Sequence, residues 1–233
     1  MVDAPTCRVD WSVYYRLINS AYPPIDLFED IADPADWILL GSAESKTNAR
    51  LSETVGCLDL IPEDRRVGGA GASYVMAPFT HMSPDRPGRF HDGTFGAFYA
   101  ANTFETALAE TIHHTAIYCD ATEEEAGWIA DKRELTGRIE AEMLDIRTGY
   151  EALLAPDNYG ASQAFARDAR AEAANGLLYP SVRNPSGLCF AAFFPDVMER
   201  PKQARHFSYH WNGVRVDQIK DLASGDVYAI EDV

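Results

Sequence analysis

Apolar and polar positions along the chain change period several times, and those changes mark out its elements. Thr94 to Ala101 is an apolar and aromatic run bounded by Asp92-Gly93, which predicts a buried strand. Thr103 then stands where a helix N-cap belongs, and the helix it opens runs to about Ile117. Leu135 to Ile146 alternates apolar and polar residues and predicts a second strand. Ser162 to Asn175 is alanine-rich and halts at Gly176, the signature of a helix and its stop. Leu177 to Val182, Leu188 to Phe194 and Arg205 to Trp211 follow as strands, with Gly213 to Lys220 and Val227 to Ile230 as added edges. The first seventy residues read differently, as irregular and helical. Pro23-Pro24 breaks the chain, and Asp33-Pro34 opens a segment whose Trp37, Leu39 and Leu40 suggest an amphipathic helix. Val67 to Ser73 reads as a glycine-rich loop and Tyr74 to Phe79 as a short strand. Strands interrupted by isolated helices predict an α+β fold with a largely antiparallel sheet.

Composition adds bounds to this picture. A chain of 233 residues with 46% hydrophobic and 11% aromatic content can bury a sizeable core as a single domain. Within it, residues 1–73 are expected to form an N-terminal helical and irregular extension packed on a core of residues 74–233. The formal net charge of −16 argues against direct contact with nucleic acid or an anionic membrane. A small anionic substrate then needs a local cluster of arginines inside a pocket. Cys7, Cys57, Cys119 and Cys189 are scattered with no paired spacing, which fits a reducing compartment. Met1 to Trp11 carry charge early and lack the apolar stretch of a signal peptide, and no run reaches the length of a membrane span. A cytoplasmic location is expected.

Three common chemistries fit poorly. Gly68-Gly69-Ala70-Gly71 has the flavour of a dinucleotide turn, but Tyr74 occupies the last glycine position of a pattern starting at Gly69, and no convincing strand precedes it. For a metal, Glu110 to His113 is a single E-x-x-H step where a di-metal helix bundle needs two, and His206 and His210 fall in a predicted strand. No metal is expected. No G-x-S-x-G elbow supports a serine hydrolase.

What remains is Arg86-Pro-Gly-Arg-Phe-His-Asp-Gly-Thr-Phe-Gly-Ala-Phe-Tyr-Ala-Ala-Asn-Thr-Phe-Glu-Thr-Ala-Leu-Ala-Glu110, with Tyr179-Pro-Ser-Val-Arg-Asn184 far downstream. An arginine precedes a glycine turn, a tyrosine ends a strand, a glutamate rides the next helix, and a serine and arginine follow a later strand. Each alone has a duller explanation. Arg89 can be a surface residue, Tyr99 ordinary core, and Ser181 a turn residue ahead of Pro185. Glu110 lies off the stripe of Phe104, Leu108 and Ile112, so solvent is its default.

Together these residues resemble the RES domain family, toxins of bacterial toxin–antitoxin pairs named for an arginine, a glutamate and a serine. The resemblance rests on Gly88-Arg89-Phe90, Phe98-Tyr99-Ala100-Ala101, Ala107-Leu108-Ala109-Glu110 and Ser181-Val-Arg183, and spans roughly Tyr74 to Trp211. Tyr15-Arg16-Leu17 and Pro24 to Phe28 look like the opening of a longer subgroup. Pro87 and His91-Asp92-Gly93 depart from the family pattern beside Arg89.

The resemblance implies an ADP-ribosyltransferase-like curved, split antiparallel sheet with flanking helices, residues 74–233 being the catalytic core. It implies a toxin that cleaves the nicotinamide–ribose bond of NAD, as a glycohydrolase or phosphorylase, with NAD as substrate and no other cofactor. It also implies neutralisation by an Xre-type helix-turn-helix antitoxin in a hetero-oligomer, the antitoxin rather than this chain touching DNA. The alternative within the same family is mono-ADP-ribosylation of a host metabolic protein. Arg89, Tyr99, Glu110 and Ser181 are the implied catalytic set, with Arg89, Tyr99, Ser181 and Arg183 binding NAD. The chemistry agrees with that assignment. A guanidinium suits the pyrophosphate, a phenol ring offers the cationic nicotinamide a face, and one carboxylate suffices to stabilise a ribosyl cation because the leaving group departs neutral. Ser181 reads as a hydrogen-bonding group to ribose or phosphate. All four catalytic groups must then converge on one concave pocket sized for a dinucleotide. A binding module without activity is the competing reading of a different class, and equal growth of cells expressing wild type and Glu110→Ala would favour it.

Overall fold

The computed structural model describes residues 2–22, 25–30, 33–37, 39 and 55–230. The break expected at Pro23-Pro24 and the Leu40 end of the expected helix lie outside them.

The N-terminal part contributes a long strand where irregular and helical structure was expected. β1 (Thr6–Asn19) pairs along almost its whole length with β3 (Gly127–Asp145). Its alternation is concealed by a bulge between Trp11 and Tyr14. Before the bulge Cys7, Val9 and Trp11 turn to the core; after it the inward parity shifts to Tyr14. A bulge inserts one residue and flips every later side chain to the other face, so a strict period of two never emerges.

A short helix α1 (Asp26–Glu29) packs Phe28 against Trp37, with ring centroids 4.9 Å apart. The segment expected to be a strand at Tyr74 to Phe79 is helical: α2 (Ala72–Thr80) buries Ala72, Val75, Met76, Phe79 and Thr80, a spacing of three and four. Its N-terminal N–H groups are satisfied from a distance, the Glu29 carboxylate accepting from Gly71 N at 2.6 Å and Ser73 N at 3.0 Å. Where a dinucleotide turn would place a phosphate, this glycine-rich loop holds the protein's own carboxylate.

β2 (Phe98–Ala101) is shorter than the expected run from Thr94. Gly96 passes against α2 so closely that a Cβ there would stand 2.0 Å from the Pro78 carbonyl oxygen, and this stretch packs on the helix before the strand begins. α3 (Phe104–Ala121) starts as expected, the Thr103 hydroxyl accepting from Thr106 N at 3.2 Å, and runs one turn longer. α4 (Gly160–Ala171) stops before Gly176, because Ala173 takes the left-handed conformation at φ 60°. β4 (Gly176–Pro180), β5 (Leu188–Ala192), β6 (Lys202–Trp211), β7 (Val216–Asp221) and β8 (Val227–Ala229) follow close to their expected positions.

The strands form one eight-stranded sheet in the order β1-β2-β5-β4-β3-β6-β7-β8, with β1 also paired to β3. Five strands therefore curl into a ring, joined between β1 and β2 by the single pair Tyr15 and Ala101. On its other edge β3 serves β6 with its first half and, at Leu144 and Asp145, the parallel β4 with its end. The sheet is thus mixed α+β in context, curved, and split along β3. All its pairings are antiparallel except β3 with β4. Tyr14, Phe98 and Phe190 fill the ring, and Leu17, Phe207, Tyr209 and Trp211 form a second core beneath α3.

Candidate active site

Two residues, Asn102 and Thr103, separate β2 from α3, so the end of the strand and the first turns of the helix are locked together. Thr106 and Ala107 face the sheet and are buried. Glu110 follows them by four and three positions and shares their face, so it turns inward rather than to the solvent expected of it. The loop from Ser181 to Gly187 joins β4 to β5 and docks on this helix face. Gly187 makes that possible: a Cβ would lie 2.1 Å from Thr106 Oγ1. Asn184 Nδ2 donates to the same Thr106 oxygen at 3.0 Å.

Docking brings Ser181 to Glu110. The serine hydroxyl donates to Glu110 Oε1 at 2.6 Å and accepts from Arg183 N at 3.1 Å and Asn184 N at 2.9 Å. A hydroxyl whose proton and lone pairs are committed in this way orients a carboxylate; it is not poised as a nucleophile. Tyr99 lies one strand position into the site, its phenol oxygen accepting from Phe90 N at 2.9 Å. Burial drives the phenol's pKa well above its ordinary value, so it stays neutral.

Arg89 is held from the segment before α4. Its Nη1 donates to the Ala155 carbonyl at 2.6 Å, its guanidinium carbon sits 4.7 Å from the Tyr159 ring centre, and its own carbonyl accepts from Ser162 Oγ at 2.6 Å. Arg183 reaches the neighbouring Pro156 carbonyl at 3.2 Å. Neither arginine forms an ion pair among the described residues. In a chain of net charge −16, two uncompensated guanidinium groups on one wall make a local positive site.

Arg89, Tyr99, Glu110 and Arg183 line one cavity of about 220 Å³, with Ser181 behind the glutamate. That volume is below the roughly 300–1,000 Å³ of small-molecule pockets. A second cavity of about 500 Å³ adjoins it, with Arg16 and Tyr99 common to both. The implied residues thus face one cavity, and the second extends the space beside it. Sequence reasoning missed Arg16, His114, Tyr159 and Tyr179 as lining residues, and weighed His113 only as a metal ligand. A lone arginine in an otherwise apolar stretch of β1 was the signal for the first of them.

Burial lowers the pKa of His91, His113 and His114, so each binds a proton less readily folded than unfolded. The unfolded chain then binds more protons below about pH 6.5, and stability falls as pH drops through that point. Melting temperature is expected to decline from pH 7.5 to 5.5, and His91→Gln to flatten the slope. Among the described residues no three His, Cys, Asp or Glu side chains gather to hold a metal ion, and no helix is long and apolar enough to cross a membrane.

Fold and site together define an α+β protein with a curved, split sheet and a cleft pairing unneutralised arginines with a serine-anchored glutamate. Residues 64–212 match the RES domain, which is more than half of the chain. The chain belongs to the RES domain family. An uncharacterised protein of Sinorhizobium fredii (strain NBRC 101917 / NGR234), y4oC, is 29% identical over 206 residues, covering 88% of this chain and 86% of that protein. A chain from the crystal structure of the M. tuberculosis MbcT-MbcA toxin-antitoxin complex aligns with 89% of this chain and 87% of its own, at 13% identity and a TM-score of 0.46.

Proposed function

We propose that this protein is a toxin that cleaves the nicotinamide–ribose bond of NAD, on an ADP-ribosyltransferase-like scaffold, and that a helix-turn-helix antitoxin neutralises it in a hetero-oligomer in the cytoplasm. The observation that carries the reading is the Glu110 carboxylate fixed by Ser181 at 2.6 Å, in a cavity that also presents Arg89, Arg183 and a neutral Tyr99. Membership of the RES family supports the same reading.

The chemistry follows from charge. Nicotinamide is cationic in NAD; when the C1′–N bond breaks, the electron pair leaves with the nitrogen and no acid is needed. Positive charge then gathers on the ribose. Glu110 stabilises it and, where the acceptor is water or an alcohol, takes the proton released as the acceptor oxygen bonds to C1′. An acceptor that is already an oxyanion needs no base. Arg89 and Arg183 engage the phosphates, and the Tyr99 ring offers a face to the nicotinamide. Ser181 acts through Glu110, so Ser181→Ala is expected to lower kcat about 10- to 100-fold, the equivalent of one charge-assisted hydrogen bond, with KM little changed.

Mass spectrometry of the products after incubation with NAD, with and without phosphate, tests the proposal. Free nicotinamide with ADP-ribose marks hydrolysis, and a phosphorylated ADP-ribose marks phosphorolysis. A labelled protein band from lysate with labelled NAD marks transfer instead. Intact NAD under all three conditions, with the protein freed of any antitoxin, would rule the activity out.

A further inference from the structure

The second cavity holds a feature that the proposed reaction leaves unused. Arg16 lies on β1 where that strand is paired with β3 on one edge and β2 on the other, and its guanidinium is enclosed by the protein. Arg16 lines both cavities. Nη1 donates to the Tyr99 carbonyl at 2.6 Å, and the guanidinium carbon rests 4.6 Å from the centre of the Phe98 ring. No carboxylate pairs with it among the described residues, and its Nε has no hydrogen-bond partner. Burial lowers its pKa to about 10, which still leaves it cationic at neutral pH. A buried, unpaired cation is costly unless an anion completes it.

His91 borders the same cavity, and its Nδ1 is likewise buried without a partner. Of the described residues' buried side-chain nitrogens and oxygens, those left unsatisfied are Arg16 Nε, Ser20 Oγ, His91 Nδ1 and Arg170 Nε. Two of the four border one cavity. The rim adds Arg86, His81 and a single carboxylate, Asp85, all exposed. With Nη1 committed to Tyr99, Nε and Nη2 are the edge of Arg16 left without a partner, the fork that engages an oxyanion by two parallel hydrogen bonds. His91 adds a donor from a separate segment. Three donors from two segments suit the several oxygens of a phosphoryl group better than a flat carboxylate.

We infer that Arg16 and His91 bind a phosphoryl group in the second cavity, across Tyr99 from Glu110. The inference rests on the NAD reading for its biological source, which is either one phosphoryl group of the dinucleotide's pyrophosphate, the other staying with Arg89 and Arg183, or free orthophosphate serving as acceptor. Both present the same chemistry to Arg16.

Calorimetric titration of the full chain with orthophosphate alone and with ADP-ribose alone separates the two sources, and neither titration needs turnover. The expected result is that at least one ligand binds the wild type and that Arg16→Gln weakens it tenfold or more. A loss confined to orthophosphate identifies the free anion, and a loss with ADP-ribose identifies the pyrophosphate. The inference is overturned if neither ligand binds the wild type, or if both keep their affinities within twofold in Arg16→Gln. Should that variant fail to fold, the wild type decides: a shift of the His91 ring resonances on saturation with either ligand supports the site, and unmoved resonances overturn it. Phosphate binding that depends on Arg16, in a protein that leaves NAD intact, would sink the proposed reaction and keep this site. Cleavage of NAD with affinities indifferent to Arg16 would do the reverse.

Discussion

Glu110→Gln is expected to lower kcat for nicotinamide release by about 100- to 1,000-fold, about 3–4 kcal/mol of transition-state stabilisation, with a far smaller change in KM. The substitution keeps the shape of the side chain and an oxygen able to accept from Ser181, which now donates to Glu110 Oε1 at 2.6 Å. What it removes is the negative charge, and that charge matters most when the ribose is most cationic. Substrate NAD carries its positive charge on the nicotinamide ring, so the ground state gains less from the carboxylate than the transition state does. Quantifying nicotinamide by chromatography across a range of NAD concentrations separates the two parameters. A variant retaining more than a tenth of wild-type kcat would mean that Glu110 is not the group facing the reacting carbon. Growth arrest on expression should vanish with the activity if NAD loss is the toxic event.

Phe190→Ala is expected to cost about 3–5 kcal/mol of stability, the range for truncating a large aromatic ring in a tightly packed core. The ring is fully buried and touches Trp11 and Tyr14 at 5.7 Å and Phe98 at 6.1 Å between centroids. Its strand β5 pairs with β2 on one side and β4 on the other, with Phe190 opposite Ala100 and Leu178. The lost volume therefore opens beneath both strands that carry site residues. Domains have roughly 5–15 kcal/mol of stability in all, so the loss is a large fraction of the total. Urea unfolding should show a lower midpoint at unchanged slope. A loss under about 1 kcal/mol would show that the ring closure at β1 and β2 does not depend on this aromatic cluster.

The two effects have different origins, and they mark how much was readable in advance. Arg89, Tyr99 and Glu110 fall within one continuous turn, strand and helix, and local signals position the strand end and the helix, whereas the Arg89 side chain is held by Ala155 and Tyr159 from far along the chain. The Asp92-Gly93 turn, the apolar run into Ala101 and the Thr103 cap each act within a few residues. Spacing along such a segment converts directly into geometry, so the strand end and the inward turn of the helix were accessible once Glu110 was placed beside Thr106 and Ala107. The later strands were legible for a related reason: β4 and β5 are short apolar runs buried along almost their whole length, and the second half of β3 alternates, although its first half, from Gly127, was not read as strand.

Other features had no local signature. α2 reads as a strand because its N-terminal cap comes from Glu29, which is 42 residues away from Gly71. β1 is hidden by its bulge, and its membership of the sheet depends on β3, more than a hundred residues later. Ser181 meets Glu110 only because Gly187 lets the loop settle on Thr106. Arg16 is the clearest case: an arginine looks like a solvated residue until strands close on both sides of it.

From its residues, this chain determined its α+β class, the helix after Thr103, most of its later strands and, through the family resemblance, Arg89, Tyr99, Glu110 and Arg183 among the residues that line the cleft. Tertiary structure decided the closure of five strands into a ring, the pinning of the carboxylate by a hydroxyl, and the division of the cleft into two cavities with a buried cation between them. The reason is physical: short-range hydrogen bonding and alternation are encoded residue by residue, whereas depth, and with it the electrostatic character of a side chain, depends on which distant segments pack around it.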